Sequence, residues 1–546
     1  MSSTYPAHQF APHERPGFPG SPFSPAHPVA RRVAYAAVGV LAGTTAALSN
    51  ALVNVNLSSL AGGLGVYVAD ANLLVGAYVA ANACANLFLV KARTQFGILA
   101  TSVTLLAVYI AALCWQLAFP SFTVALLARI ASGFAASGLT TLTIYNLMQA
   151  MPAPLRLAGV CIGISITQLG VPLARLFPVD LLAISHWRGL ELIDLALALL
   201  TACALLAVPL PPNERQRVFE WPDFLTLSLW LPGICCLCAV LSVGRYYWWT
   251  DTPVLGLALC AAVVLIALTV LLELHRARPL IRFDWIATQD MFRYALVALL
   301  VRFALAEQTY GAVGLLSSGG LNNDQLRLLF LLVFIAMLVG TAVAAACMAP
   351  ERLPYMVLAA ALFIALGAWI DSSVTNLSRP PQLMLSQALI GFGSALFVGP
   401  ALIYGFGRLM QRGPDHMVTL VVLFSTTQNL GGLLGSSVLS SLQFSFARQH
   451  AAALSNHLIY GDPQTAARLQ AGAAALASRL PDPAVLGNQA SAALLQALNR
   501  EADVLAYADV FRLICAVALA VALYISYIIV HNRIRRRQNQ PTGSQA

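Results

Sequence analysis

Six charged side chains stand in otherwise apolar stretches: Arg129, Arg175, Glu191, Asp194, Arg302 and Glu307. A charge in hydrocarbon costs about 2.5–3.5 kcal/mol on insertion scales, so such residues persist where they pair, bind or carry protons. Carboxyls there can exchange protons, whereas a guanidinium stays charged and needs compensation. Glu191 and Asp194 stand three apart and so share a helix face. We expect a charge network in which these carboxylates compensate Arg129, Arg175 or both, as a proton path or as a structural tie. Arg302 and Glu307 fall about 140° apart around a helix and do not pair with each other. Glu307 has no cation on its own helix; it is the leading candidate for a coupling acid, with a structurally paired glutamate as the other reading.

Uncharged polar residues accompany them. Gln168, Gln308, Gln387, Gln428 and Asn429 could contact a substrate or form interhelical hydrogen bonds. Gly133, Gly170, Pro172, Gly431 and Gly432 mark places where helices approach closely or bend. Part of this pattern occurs twice. Gly133-Phe134 with Ile144-Tyr145 is echoed by Gly391-Phe392 with Ile403-Tyr404, and Thr167-Gln168-Leu169-Gly170 by Thr427-Gln428-Asn429-Leu430-Gly431. The repeat sets Gln387 against Arg129 and implies two related halves, as in carriers built from repeats.

The elements that position these residues follow from composition. The chain is 59% hydrophobic and 10% charged, with a mean hydropathy of +0.76, which describes an integral membrane protein. Fourteen apolar segments are each long enough to cross about 30 Å of hydrocarbon, from Val33–Val55 to Val510–Val530. The net charge of +9 does not indicate nucleic acid, because most basic residues lie in alternate short breaks between segments. Arg31, Arg32, Lys91, Arg93, Arg156, Arg215, Arg217, Arg276, Arg278, Arg282, Arg352, Arg408 and Arg412 fall on the side of the N-terminus, which the positive-inside rule makes cytoplasmic. Both termini are then cytoplasmic, and Arg245 is the clearest exception. The ten cysteines lie in apolar stretches. Cys235-Cys236-Leu237-Cys238 has no neighbouring His or carboxylate, and the His residues have no metal-ligand spacing. Neither a metal nor another cofactor is expected. A Walker loop and a Ser/His/Asp constellation are absent too, so an enzyme is not expected.

The layout, with Arg129 and Gly133 in the fourth segment, the Gly/Pro element in the fifth and Trp187-Arg188 opening the sixth, resembles the major facilitator superfamily. More narrowly it resembles the fourteen-helix drug:proton antiporter branch, the EmrB/QacA type. Leu48–Leu60 is similar to that branch's first-helix motif, and Leu89–Gly97 to the loop between its second and third helices. The resemblance implies an all-α major facilitator fold of two six-helix bundles plus two additional helices. On it the chain divides into a disordered cytoplasmic tail (1–32), an N-terminal bundle (33–209), the additional helices (210–290), a C-terminal bundle (291–531) with a periplasmic loop at 446–509, and a basic tail (532–546). Arg129 matches an arginine the family associates with proton transfer, and Gly170 and Pro172 match its antiporter motif. Ser49 stands where the first-helix motif has an acid, Val171 separates Gly170 from Pro172, and the loop at Leu89 lacks the usual aspartate.

The implied function is export of small amphipathic or aromatic compounds across a bacterial inner membrane in exchange for protons. Membrane lipid surrounds it, and a membrane-fusion adaptor and an outer-membrane channel are the implied partners. An importer or uniporter of the same fold and a non-transporting scaffold or sensor are the competing readings.

Overall fold

The computed structural model describes residues 14, 20–177, 188–459, 461–477 and 483–538, and they are overwhelmingly helical. Among the described residues thirteen helices are long and apolar enough to cross a membrane. Helices satisfy every backbone donor and acceptor within the segment, as hydrocarbon requires. The amino half contains α1 (Val29–Val55), α2 (Val68–Phe96), α3 (Ile98–Ala118), α4 (Phe122–Ala150), α5 and α6 (Arg188–Ala207). α7 (Trp221–Val243) and α8 (Pro253–Leu274) follow. The carboxyl half contains α9 (Gln289–Ser318), α10 (Asn323–Ala346), α11 (Leu353–Asp371), α12 (Pro380–Arg412), α13 (Met417–Ser455) and α14 (Pro483–Gln538).

The fifth apolar segment, α5, is broken into Arg156–Ile166 and Gly170–Ala174. The sequence suggested a single span, Leu157–Pro178. Pro172 has no N–H to offer Gln168 O, so the α-helical ladder fails at this turn. Pro178 and Trp187 lie outside the described residues. In α9 a wider turn replaces the α-helix at Glu307–Gly311; such π-bulges re-aim side chains and cluster at functional places.

Packing assigns the helices to two groups. α4 lies against α1, α2, α3 and α5, while α12 lies against α10 and α11, and α14 against α11 and α13. α2 meets α13, and α5 meets α10 and α12, so these pairs join the halves. α7 and α8 pack on each other and reach the amino half through α2. On α8, Val254, Leu257, Val263, Val264 and Leu271 are each more than half exposed, a face suited to lipid.

A buried ion network fixes the α7–α8 pair. Asp223 on α7 pairs with Lys91 of α2 and with Arg276 at 2.8 Å, and Arg276 pairs with Glu273 of α8 at 2.7 Å. Glu273 also accepts from Thr226 and from the backbone of Leu280 and Ile281. Lys91 and Arg276, which the sequence counts as free loop charges, are therefore largely consumed in packing.

Two regions differ from the sequence expectation. Most of the tail before residue 20 lies outside the described residues, but residues 20–28 are packed rather than loose. Phe23 N donates to Pro212 O at 3.0 Å, Gln149 Nε2 to Phe23 O at 2.7 Å, and Arg156 to Ser24 O at 3.0 Å. His27 lies 3.0 Å from Gln149 Oε1. Polar carbonyls of this strap thus find donors at the ends of α4 and α5. The loop at 446–509 is also more regular than expected. α13 runs 39 residues, about 58 Å at 1.5 Å per residue, and α14 is continuous for 56 residues. A helix at Pro463–Leu476 packs on α14 between them. Residues 489–505 belong to the first part of α14 itself.

Candidate functional site

The carboxyl half buries two acids beside one amide. The bulge of α9 turns Glu307 inward, where it is 0% exposed. Gln387 on α12 donates from Nε2 to Glu307 Oε1 at 2.9 Å and to Asp371 Oδ2, at the end of α11, at 2.8 Å. Ser386 Oγ donates to the other Asp371 oxygen. Gln308 Nε2 reaches Gln387 O at 3.3 Å, holding the α12 backbone against α9. Glu307 Oε2 has no hydrogen-bond partner among the described residues. Among the described residues no cation lies within ion-pairing distance of either acid. Two carboxylates crowded round one donor in an apolar interior cannot both remain ionised, so the arrangement accommodates a proton.

Asp371 escapes a reading of isolated charges because it ends its apolar segment and looks like a boundary. The repeat offers the missing signal. Gln116 is the nineteenth residue of α3's Ile98–Ala118 and Asp371 the nineteenth of α11's Leu353–Asp371, and both stand beside a buried acid.

In the amino half, Arg129 is 4% exposed and donates to Ser49 O and, at 2.7 Å, to Asn50 Oδ1. Its guanidinium carbon lies 4.6 Å from the Tyr78 ring centre. Gln116 donates to Glu191. Arg129, Gln116, Glu191 and Asp194 line one cavity, together with Leu52 and Leu190. Arg175 is elsewhere. It donates to Asn323 at the start of α10 and stacks over Phe330, 4.8 Å from the ring centre. The expected network therefore separates: Arg129 faces the carboxylates, and Arg175 ties the two halves together.

Arg302 is half-buried, with Nε donating to Gln428 O at 3.1 Å. Gly431 and Gly432 leave the space it occupies, for a Cβ at Gly431 would meet Arg302 Cβ at 3.1 Å and one at Gly432 would meet Arg302 Nε at 3.3 Å. The Gln428 side-chain amide is buried without a partner. Asn429 donates to Asn82 Oδ1 of α2 at 2.8 Å, a polar contact across the halves. Gln168 sits half-buried in the α5 break. Gly133 admits α2, since its Cβ would lie 2.8 Å from Ala81 Cβ, and Gly170 admits α1, at 2.9 Å from Ala47 C. Pro172 is buried in the short second piece of α5. Among the described residues no group of three or more His, Cys, Asp or Glu is placed to hold a metal.

The sequence matches the family model for the Major Facilitator Superfamily over residues 39–436. Similar folds include a human organic anion transporter, 15% identical, covering 90% of this chain and 100% of that one with a TM-score of 0.51. A nucleoside transporter is 11% identical over 91% of this chain and 99% of its own, with a TM-score of 0.52. A proton:xylose symporter is 14% identical over 91% and 96%, with a TM-score of 0.51. At these identities the likeness concerns the fold. No curated protein matches in sequence.

Proposed function

We propose, from the premise that this chain belongs to the major facilitator superfamily and is therefore a secondary transporter, that it exports small amphipathic or aromatic organic compounds in exchange for protons. The observation that carries the reading is the Glu307–Asp371 pair held by Gln387. In the closed state the pair keeps a proton, because two charges there are uncompensated. Opening toward water on one side stabilises the charged form and lets the proton leave; opening on the other lets a proton return. Substrate movement in the opposite sense then completes the exchange, with Arg302, Gln428, Asn429 and Gln168 offering polar contacts near the junction of the halves.

The exchange direction is favoured by the fourteen apolar segments with α7 and α8 placed between the halves, the layout of the drug:proton antiporter branch. The resemblance to that branch favours a bacterial inner membrane, and the positive-inside pattern favours cytoplasmic termini. On this orientation the far ends of α13 and α14, with Pro463–Leu476, rise into the periplasm, where an adaptor leading to an outer-membrane channel could dock.

The test is proton movement in energised everted vesicles carrying wild type or Glu307→Gln. Lipophilic weak acids, cationic dyes and aromatic compounds are added in turn. The proposal expects at least one compound to discharge the pH gradient in wild type and none to do so in the correctly inserted variant. A pH change of the opposite sign would indicate co-transport, and an equal response in both would remove Glu307 from the coupling step.

A further inference from the structure

The amino half contains a second place where charge is out of balance. The cavity between α1, α2, α3, α4 and α6 measures 30 Å³ and is lined by Gln116, Arg129, Glu191 and Asp194. Such a volume is room for one water molecule. Glu191 and Asp194 are 8% and 7% exposed. Three polar atoms of the lining residues have no hydrogen-bond partner among the described residues: Arg129 Nε, Glu191 Oε2 and Asp194 Oδ1. Tyr109 faces Asp194 from α3, Tyr78 covers Arg129 from α2, and Arg188 is the other cation near Glu191. α1 adds Asn56 to the lining and no ionisable side chain.

Inside the cavity one guanidinium opposes two carboxylates. Among the described residues Arg188 is the further cation near Glu191, but it is exposed at the start of α6; the buried lining itself is thus one positive charge short, and an uncompensated buried charge is strongly disfavoured. We propose that this cavity is a second proton site, in which Glu191 and Asp194 share one proton through a cavity water opposite Arg129. Arg129 also grips α1 through Ser49 O and Asn50, so a change of charge on the α6 carboxyls bears directly on how α1 is held. The carrier then binds protons in both halves, one at Glu307–Asp371 and one at Glu191–Asp194. The inference deepens the transport reading and rests on it for the meaning of the second proton; the proton site itself is tested apart from transport.

Infrared titration of purified protein isolates it. The background is Glu307→Gln/Asp371→Asn, which silences the carboxyl-half pair. In that background the proposal expects a protonated-carboxyl band that is lost with either Glu191→Gln or Asp194→Asn, in protein shown folded by thermal melting. No such band in the folded background overturns the proposal. So does a band that disappears when sodium chloride replaces choline chloride at fixed pH, since sodium would then be the cation the site takes. Failure of the transport reading looks different: wild type and background would show the same band, with nothing assignable to Glu307 or Asp371.

Discussion

Gln387 donates to Glu307 across a separation of 80 residues, and Arg129 donates to Ser49 across the same separation. The two bonds occupy equivalent places in the repeated halves, linking the fourth helix of each half to the first. In one half the donor is a cation and the acceptor a carbonyl; in the other the donor is a neutral amide and the acceptor a carboxyl. The fold has kept the contact and exchanged its charge. Ser49 in the amino half and Glu307 in the carboxyl half thus hold the equivalent accepting positions.

Replacing Gln387 with leucine removes the only amide that bridges Glu307 and Asp371. The acids then have only their own proton to share, and a buried group left unsatisfied costs about 1–3 kcal/mol. Gln387→Leu is expected to lower thermal stability, and Gln387→Leu/Glu307→Gln to recover part of it, because the variant amide can donate to Asp371. Melting curves of the purified single and double variants check this; equal melting of the two would contradict it.

The ion network at Asp223 predicts a larger loss. Asp223→Ala leaves Lys91 without its partner and Arg276 with Glu273 and the more distant Glu220. Removing one member of a buried pair costs about 3–5 kcal/mol. Lys91→Met added to Asp223→Ala is expected to lose less than the sum of the single effects, since the stranded cation is then gone. Denaturation of all four proteins in detergent measures the coupling, and simple additivity would show that the pair contributes nothing.

Gly431 predicts a steric effect. Valine there drives methyl groups toward Arg302 and toward Leu299, whose Cδ1 would already lie 3.3 Å from a Cβ. Overpacking of this kind costs about 1–3 kcal/mol. Gly431→Val should destabilise the protein and Gly431→Val/Leu299→Ala should restore part of the loss, read as the fraction that stays monodisperse on heating.

The strap at 20–28 predicts a pH dependence. Burial, with Arg31 and Arg156 nearby, holds His27 below its ordinary value of 6.5, against the opposing effect of its bond to Gln149. The packed strap therefore prefers neutral His27. Its stabilisation is present above the unfolded value and declines as pH falls through the lowered one. Protease cleavage in the strap is expected to rise on acidification in wild type and to respond less in His27→Phe; an unchanged pH response in that variant would assign the effect to another group.

Much of this was legible because membranes impose simple rules. Unbroken apolar length revealed the helices, and isolated charges pointed to Arg129, Glu191 and Asp194, which do line one cavity. The family match and shared fold support the major facilitator reading. The contact of Arg175 was not legible because its partner, Asn323, is uncharged and belongs to the other half. Asp371 was missed because an acid at the end of an apolar run looks like its edge. The strap at 20–28 has no apolar pattern at all: its order comes from carbonyls meeting Gln149 and Arg156, contacts that only the folded chain creates. The extension of α14 beyond its apolar span is hidden in the sequence because Ala-rich polar sequence lowers hydropathy without ending a helix.

The central claim is that Glu307 and Asp371 couple protons to transport rather than merely supporting the fold. The most direct measurement compares two fluxes of one transported compound in proteoliposomes containing Glu307→Gln. Exchange of labelled for unlabelled compound at equal pH needs the carrier to move but no net proton transfer; accumulation driven by a pH gradient needs both. The account predicts that exchange survives while pH-driven accumulation is lost. Accumulation at the wild-type level in Glu307→Gln would contradict it.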